Sequence, residues 1–495
     1  MKKIKNKTGV RHKSVRNSGQ GSSQGSSQSG DHRHDKGAPT SNALQAPACP
    51  SAPTSIWINL VALAVSLAAV YWLREYGRDL DVKTQSLVVV AVALALPIIM
   101  LEWFFLKPYR NPSAGLDFRR TNHSVPRTAV KLLGFYVSVG SVAFVYWLFP
   151  EYHGSFYDNY FSVVRAVLPW WMLLAVPYFY LLDGAMAQPK DSYWQLGRWI
   201  LGQREGVSGK AIGQLYLGWL VKLFFLPLMF VYLGNNLNTL LNFDFVRLLG
   251  SFKAVFDFTF NFLFYIDLLF VTVGYVCTLR LFDAHIRTAE PSFLGWGVAL
   301  IGYQPFWSLF SGTYLKYDDA PAWGYWFWDT PLVYGIWGSG ILLLIAIYVW
   351  ASIPFGIRFS NLTHRGILTN GPYRYTKHPA YISKNLSWWM ISMPFMVSAT
   401  VPEALRHSLL LLMVNFIYFM RARTEERHLS WDPTYVTYAN YIAEQGMFAF
   451  LGRWFPALRF GNGRLFHSTG EAAGKPPATS PAAPAHQAEA GSAGA

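Results

Sequence analysis

Charge is in short supply in this chain. Asp, Glu, Lys and Arg make up 14% of its 495 residues, against roughly a quarter in soluble globular proteins. The shortfall coincides with apolar runs such as 86–100 and 340–350 that carry no water-facing stripe. With 52% of residues hydrophobic and 17% aromatic, a soluble enzyme is excluded. Cysteine is nearly absent: Cys49 lies in the Pro/Ser-rich stretch 46–55 and Cys277 inside an apolar run. A disulfide framework and a cysteine-rich metal site are thereby excluded, and both cysteines read as structurally incidental. Cys49 also follows polar sequence rather than the hydrophobic segment that a lipoprotein signal requires. Nucleotide and zincin motifs are missing: there is no G-x-G-x-x-G, no G-x-x-x-x-G-K-[ST] and no H-E-x-x-H. Neither a Rossmann crevice, a P-loop nor a zinc centre is indicated, and no metal is expected.

The charge that is present leans positive, with a net +15. Basic residues cluster in the first tail and in loops between apolar runs, which is positive-inside patterning rather than a nucleic-acid face. Residues 1–55 carry Lys2, Lys3, Lys5, Lys7, Arg11, Lys13 and Arg16, then a Gly/Ser/Gln run. They hold too little apolar surface to fold, and a disordered basic cytoplasmic tail is expected, with His32 and His34 solvated. Residues 467–495, rich in Ala, Pro and Gly, read as a second disordered tail.

Between the tails, a requirement of about 20 apolar residues per crossing predicts about ten transmembrane helices. They begin near Ile56, Gln85, Ala129, Val163, Ile212, Ala254, Phe293, Leu332, Asn385 and Ala404. The expected fold is an all-α, polytopic integral membrane protein. About eight spans fill 56–353, and a region built on a two-helix hairpin fills 354–466. Loops with Lys107, Arg110, Arg119, Arg120 and Arg127, and with Lys190, Arg198, Arg204 and Lys210, fall inside. Those with Glu151 and Asp158, and with Asp318 and Asp319, fall outside, which puts both termini in the cytoplasm. No organelle signal is evident, so the expected membrane is a bacterial inner (cytoplasmic) membrane. Lys222 and Asp267, with Asp257 and Asn261 nearby, lie inside predicted spans. Charge at such depth costs a few kcal/mol unless paired, so these residues are expected to face each other or a polar cavity.

The polar residues of the last quarter concentrate in two places. His364, Arg365, Asn370, Tyr373, Arg374, Tyr375, Lys377, His378 and Tyr381 precede one apolar stretch, and Arg421, Arg423, Glu425, Glu426 and His428 follow the next. A helical hairpin brings both sets to one membrane face. The pattern is Gly371-Pro372-Tyr373-Arg374, then His378-Pro379 and Tyr381, then Glu425-Glu426 with Leu429, closed by Tyr435 and Tyr438. It resembles the integral-membrane methyltransferases typified by isoprenylcysteine carboxyl methyltransferase and the phospholipid N-methyltransferases. Lys377 stands where that family usually has Arg, and Ser383 where it usually has Gly. Lys keeps the charge but loses the planar fork.

The resemblance implies S-adenosylmethionine as cofactor, bound at the cytoplasmic end of the hairpin, and methyl transfer to a membrane lipid or lipidated acceptor. It places Tyr373, Lys377, His378, Tyr381, Glu425 and Glu426 at the cofactor, and Arg374, Arg423 and Trp388 at the substrate. His378, Arg421 and Glu426 are the expected catalytic residues. Each half of the pattern alone reads equally well as a basic loop or as helix-surface ion pairs, Arg421 with Glu425 and Arg423 with Glu426. The two halves at this separation carry the assignment. A second, looser resemblance is to membrane sterol reductases, which bind NADPH near a late hairpin. Here KHPAY, Ser383-Lys384 and Glu425-Glu426 depart from their motifs, and the reductase reading ranks second. A transporter or lipid-handling protein with an inactive methyltransferase-like end is the third.

Overall fold

The structure, a computed structural model, describes residues 48–456 and Phe460. The expectations for 1–47, His32 and His34 among them, and for the tail 467–495 lie outside the described residues. In a hydrocarbon solvent the backbone has to satisfy its own hydrogen bonds, and the apolar runs accordingly form helices. In chain order these are α1 (Ile56–Tyr76), α2 (Val82–Leu106), α3 (Val125–Leu148), α4 (Ser155–Ala185) and the short α5 (Ser192–Ile200). Next come α6 (Gly209–Leu241) and α7 (Phe252–Val276), then strand β1 (Thr288–Ala289). Three short helices come after it: α8 (Phe293–Leu300), α9 (Phe306–Thr313) and α10 (Trp323–Phe327). The chain continues with α11 (Pro331–Arg358), β2 (Thr363–His364), α12 (Pro379–Ser392), α13 (Val401–Leu429) and α14 (Pro433–Gln445).

Among the described residues, eight helices are long and apolar enough to cross a membrane: α1, α2, α3, α4, α6, α7, α11 and α13. The other two of the ten predicted segments are not continuous spans. The one beginning at Phe293 breaks between α8 and α9, where Gly302 and Pro305 stand and proline removes a backbone donor. The one predicted from Asn385 is α12, which starts earlier, at Pro379, and stops at Met393 in a left-handed conformation. Its 14 residues reach roughly 21 Å at 1.5 Å per residue, short of a hydrocarbon core of about 30 Å.

α1 packs on α2, α6 on α7, and α11 on both α7 and α12, while α3, α4 and α5 form a flanking group. Phe225, Leu233, Tyr265, Phe270 and Ile341 are buried at the centre. Some charges inside this apolar mass form ion pairs and others are met by hydroxyls or ring faces. Asp183 at the end of α4 receives Arg127 at 2.6 Å and Lys131 at 2.8 Å from α3. Of the two expected arrangements, facing each other or facing a polar cavity, the first is not found: Lys222 and Asp267 do not meet. The Lys222 ammonium donates to the Thr278 hydroxyl and stands 4.9 Å over the Trp219 ring, whereas Asp267 lies roughly 15 Å further down α7. There it accepts hydrogen bonds from Tyr348, at 2.8 Å, and from Ser352, both on α11. Asp257 pairs with Lys253 on its own helix.

The ends of α2, α7 and α11 are tied together by two buried arginines from the polar segment. Arg365, 3% exposed, donates to five carbonyls. They are Ala284 (2.7 Å), Gly274 (2.7 Å), Phe359 (2.8 Å), Cys277 (2.6 Å) and Ile357 (2.8 Å). A guanidinium has five N–H groups, so each one is used. Gly274 permits the approach, because a Cβ there would stand 2.5 Å from the Phe359 carbonyl oxygen. Arg358 Nη1 bonds both oxygens of the buried Glu102 on α2, at 3.0 and 2.9 Å, and its Nη2 donates to Phe282.

The last turn of α11 is irregular, with Gly356 at φ 52°, and its freed carbonyls are met from the chain's beginning. Asn59 of α1 donates to Ile353 at 2.8 Å and Thr54 to Pro354 at 2.7 Å. Thr369 in turn donates to Pro50, and Asn370 to Thr54. The end of the predicted tail, Pro50 to Thr54, is therefore docked rather than disordered, because buried carbonyls require partners. Cys49 is not incidental either: it packs against the buried cluster of Ile367, Tyr435, Tyr438, Ala439 and Ile442.

Arg365→Lys keeps a charge but cannot reach five carbonyls arranged for a fork. Thermal unfolding of the purified protein should show a loss of about 3 kcal/mol or more, with Arg365→Met at least as unstable; unfolding like the wild type would show that the five bonds contribute little.

Candidate functional site

The polar segment after α11 has one apolar partner and several polar ones. β2 pairs antiparallel with β1, with Thr288 opposite His364 and Ala289 opposite Thr363. Flanking bonds from Arg287 to His364 and from Glu290 to Leu362 extend the ladder. This carries Glu290, from the loop before α8, to the motif loop. The GPYR turn further along is clasped by α14, whose Tyr438 hydroxyl donates to the Tyr373 carbonyl at 2.7 Å. His378 and Pro379 open α12, and Asp432 caps α14 by accepting from the Thr434 amide.

α12 and α13 then bring the two motif halves together. The Tyr381 hydroxyl donates to Glu425 Oε2 at 2.8 Å. Glu426 holds three basic side chains: Lys377 on Oε1, His378 Nε2 on the same oxygen at 3.0 Å, and Arg423 on Oε2 at 2.9 Å. One turn deeper on α13, Arg421 donates to Asn361 Oδ1 at 2.8 Å, and Asn361 bridges to the Tyr275 and Tyr303 hydroxyls at 3.0 Å each. The Arg421 guanidinium lies 5.3 Å from the Tyr381 ring centre, 5.6 Å from Tyr303 and 5.9 Å from Tyr418.

These residues enclose a cavity of about 180 Å³. Of the residues singled out in the sequence, Tyr373, Lys377, His378, Tyr381, Glu425 and Arg421 line it. Glu426 stands behind the wall, spent on Lys377, His378 and Arg423. Arg423 is occupied by Glu426, Arg374 is exposed at the surface, and Trp388 sits deeper, against Tyr418 and Trp307. Wall residues that sequence reasoning did not assign are Glu290, Tyr303, Tyr348, Lys384 and Asn361. Glu290 is 2% exposed. Its Oε1 accepts from the Ser292 amide at 3.0 Å and from Arg427 at 3.2 Å, while its Oε2 faces His428 Nδ1 at 3.9 Å. The other ring nitrogen of His428 is 2.9 Å from the Thr288 hydroxyl. Only the intramembrane position of some of these residues could have signalled them, because their partners are far away in the chain.

Two electrostatic features mark the rim. Burial pushes the Tyr435 hydroxyl well above its ordinary pKa, reinforced by the carboxylates of Glu426 and Glu425, so it remains a proton donor. That hydroxyl is buried and has no hydrogen-bond partner among the described residues, which is unusual for a buried polar group. At Asp432 burial works against the charge, but hydrogen bonds from His364 and Thr434 outweigh it and hold the carboxyl below its usual range. The wall thus offers carboxylates, an unsatisfied hydroxyl and the rings of Tyr373 and Tyr438. Such a donor set suits an organic cation carrying polar groups and an aromatic base. Among the described residues, no group of three or more His, Cys, Asp or Glu side chains is placed to hold a metal ion.

No curated protein and no solved structure matches the chain. Residues 336–431 do match the model of the isoprenylcysteine carboxyl methyltransferase (ICMT) family. It is therefore with this family of membrane methyltransferases that the C-terminal part of the chain aligns, the match taking in Arg365, Gly371 to Tyr381 and Glu425-Glu426 with Leu429, and ending before Tyr435 and Tyr438.

Proposed function

We propose that the cavity binds S-adenosylmethionine and that the protein methylates an acceptor embedded in the membrane. The observation that carries this reading is the buried, partnerless Tyr435 hydroxyl on a wall shared with Glu425, Glu290 and the aromatic rings, beside the family-matched helices. When bound, the cofactor supplies a methyl group activated by a positively charged sulfur. Glu425, fixed by Tyr381, and Glu290, fixed by Ser292 and Arg427, supply negative charge to its cationic end. Tyr373 and Tyr438 supply faces for its base. Glu426 acts indirectly, by holding Lys377 and His378 at the start of α12. Arg421 faces the acceptor side of the cavity and orients a negatively charged group there.

Methyl transfer is a displacement in line, and the chief demand on the protein is to hold donor and acceptor in contact. A carboxylate acceptor has no proton to lose. An amine or hydroxyl acceptor does, and His428, oriented by Thr288 and backed by Glu290, is the base that faces the cavity. Positive-inside patterning supports a cytoplasmic orientation for this end of the bundle, since Lys107, Arg110, Arg119, Arg120, Lys190 and Arg204 lie on the connections between its spans, with Arg198 on the short α5 among them.

Binding to detergent-purified protein tests the reading. S-adenosylmethionine should bind saturably and NADPH should not; NADPH binding alone would make the protein a reductase. Glu425→Gln should weaken S-adenosylmethionine binding about tenfold or more, as expected for loss of a charged partner. Tyr435→Phe, which removes one hydroxyl, should weaken it about threefold to tenfold. Wild-type affinity in both variants would sink the assignment of this cavity to the cofactor. Replacing Glu426 along with Glu425 by Ala should abolish binding and also lower the unfolding temperature, because Lys377, His378 and Arg423 lose their common partner.

A further inference from the structure

Moving inward along α13 from the bundle end, the cavity changes character turn by turn. Glu425 is at the rim, Arg421 one turn deeper, and Tyr418 about 10 Å below the rim. α12 runs alongside with Tyr381, then Lys384, then Trp388. Beyond them lie Trp307, Leu411 and Val414 of an apolar cluster. The order is carboxylate, then cations, then hydrocarbon.

Lys384 is the unusual member of this series. It lines the cavity, and its ammonium is held only by ring faces: Tyr348 at 5.3 Å, Trp388 at 5.4 Å and Tyr418 at 5.9 Å. Tyr418 also carries the Arg421 guanidinium, at 5.9 Å, so two cations flank one ring. Asp267, a buried acid whose charge interacts with that of Lys384, turns both oxygens to the hydroxyls of Tyr348 and Ser352. It offsets the charge of Lys384 from behind the wall without forming an ion pair with it. An ammonium in an apolar setting gains from cation–π contacts, yet its three N–H donors remain without an acceptor among the described residues.

We propose that Lys384 is a specificity-determining residue for the membrane acceptor: with Arg421 it grips an anionic head, a carboxylate or a phosphate, whose alkyl tail runs past Trp388 and Trp307 into the hydrocarbon. The methyl transfer that would come after binding rests on the methyltransferase reading, whereas the binding itself does not. The cations set the depth at which the head stops, one turn below the rim carboxylates. A neutral or cationic head finds no partner at that depth. Arg421 alone does not complete the grip, because part of its fork is spent on Asn361.

The test is equilibrium binding of amphiphiles to the full-length protein in phosphatidylcholine nanodiscs without S-adenosylmethionine. The probes are oleate, dioleoyl phosphatidic acid and neutral oleyl alcohol. At least one anionic probe should bind about tenfold or more tightly than oleyl alcohol, preference for oleate indicating a carboxylate head and preference for phosphatidic acid a phosphate. Lys384→Met, which keeps the stem, should erase that preference, while Lys384→Arg retains most of it. The unfolding temperature of both variants, measured separately, should stay close to that of wild type and reports that the fold is intact. Equal binding of neutral and anionic probes, or an undiminished anion preference in Lys384→Met, would overturn the proposal. Failure of the wild type to bind S-adenosylmethionine would count against the cofactor alone, since the amphiphile measurement decides the role of Lys384 in either case.

Discussion

Five hydrogen bonds from one guanidinium hold this end of the bundle together. Arg365 reaches the last turn of α7, the loop after it and both sides of the break after α11. Those carbonyls are where helices end and backbone acceptors are left over. A low-dielectric interior makes leaving them unpaired expensive, and a single planar fork meets all of them at once. The motif loop 359–378 can be irregular because its foundation is fixed in this way. Arg358, locked on Glu102, extends the same solution to α2.

On that foundation the site is assembled from parts well separated in the chain. The family-matched stretch supplies Tyr373, Lys377, His378, Tyr381, Arg421 and Glu425. Earlier parts supply the rest: Glu290 by way of the β1–β2 pair, Tyr303 from the break between α8 and α9, and Asp267 from mid-α7 behind the wall. Irregular backbone at membrane depth is tolerated where it is buried in protein or lines a cavity. The Gly302–Pro305 interruption is such a place, since Tyr303 projects from it to Asn361 and within reach of Arg421. The stretch from Pro50 to Thr54 closes the assembly from outside by bonding to Pro354, Thr369 and Asn370. The preceding spans are thus part of the cavity's enclosure.

The ion clusters divide the labour of the motif. Glu425 and Glu426 are neighbours in sequence, but α-helical geometry turns them about 100° apart. One faces Tyr381 and the cavity, and the other faces Lys377, His378 and Arg423. Adjacent acids of the same type therefore do different things, one open to a ligand and one spent on positioning. Arg421, Arg423 and Arg427 diverge for the same reason, to Asn361, Glu426 and Glu290 respectively.

The apolar runs by themselves determined an all-helical membrane protein, because a backbone in hydrocarbon has few alternatives to a helix and run length is a local property. The two spaced halves of the motif likewise announced a site at one end of a late hairpin. Where helices break was less legible: Gly302 and Pro305 are visible in the sequence, but the polar partners that make a break tolerable at that depth are not. The partners of Lys222, Asp267, Arg365 and Glu290 were decided only by the tertiary structure. Each of those contacts joins residues from different helices and loops, and no periodicity of 3.6 residues records which helix ends will meet. Cys49 and Thr54 sit beside polar, low-complexity sequence, and nothing local distinguishes them from it. Thr54 is ordered by a buried backbone acceptor of α11 and by a side-chain donor of the motif loop, both some 300 residues away, and Cys49 by the apolar cluster it packs against.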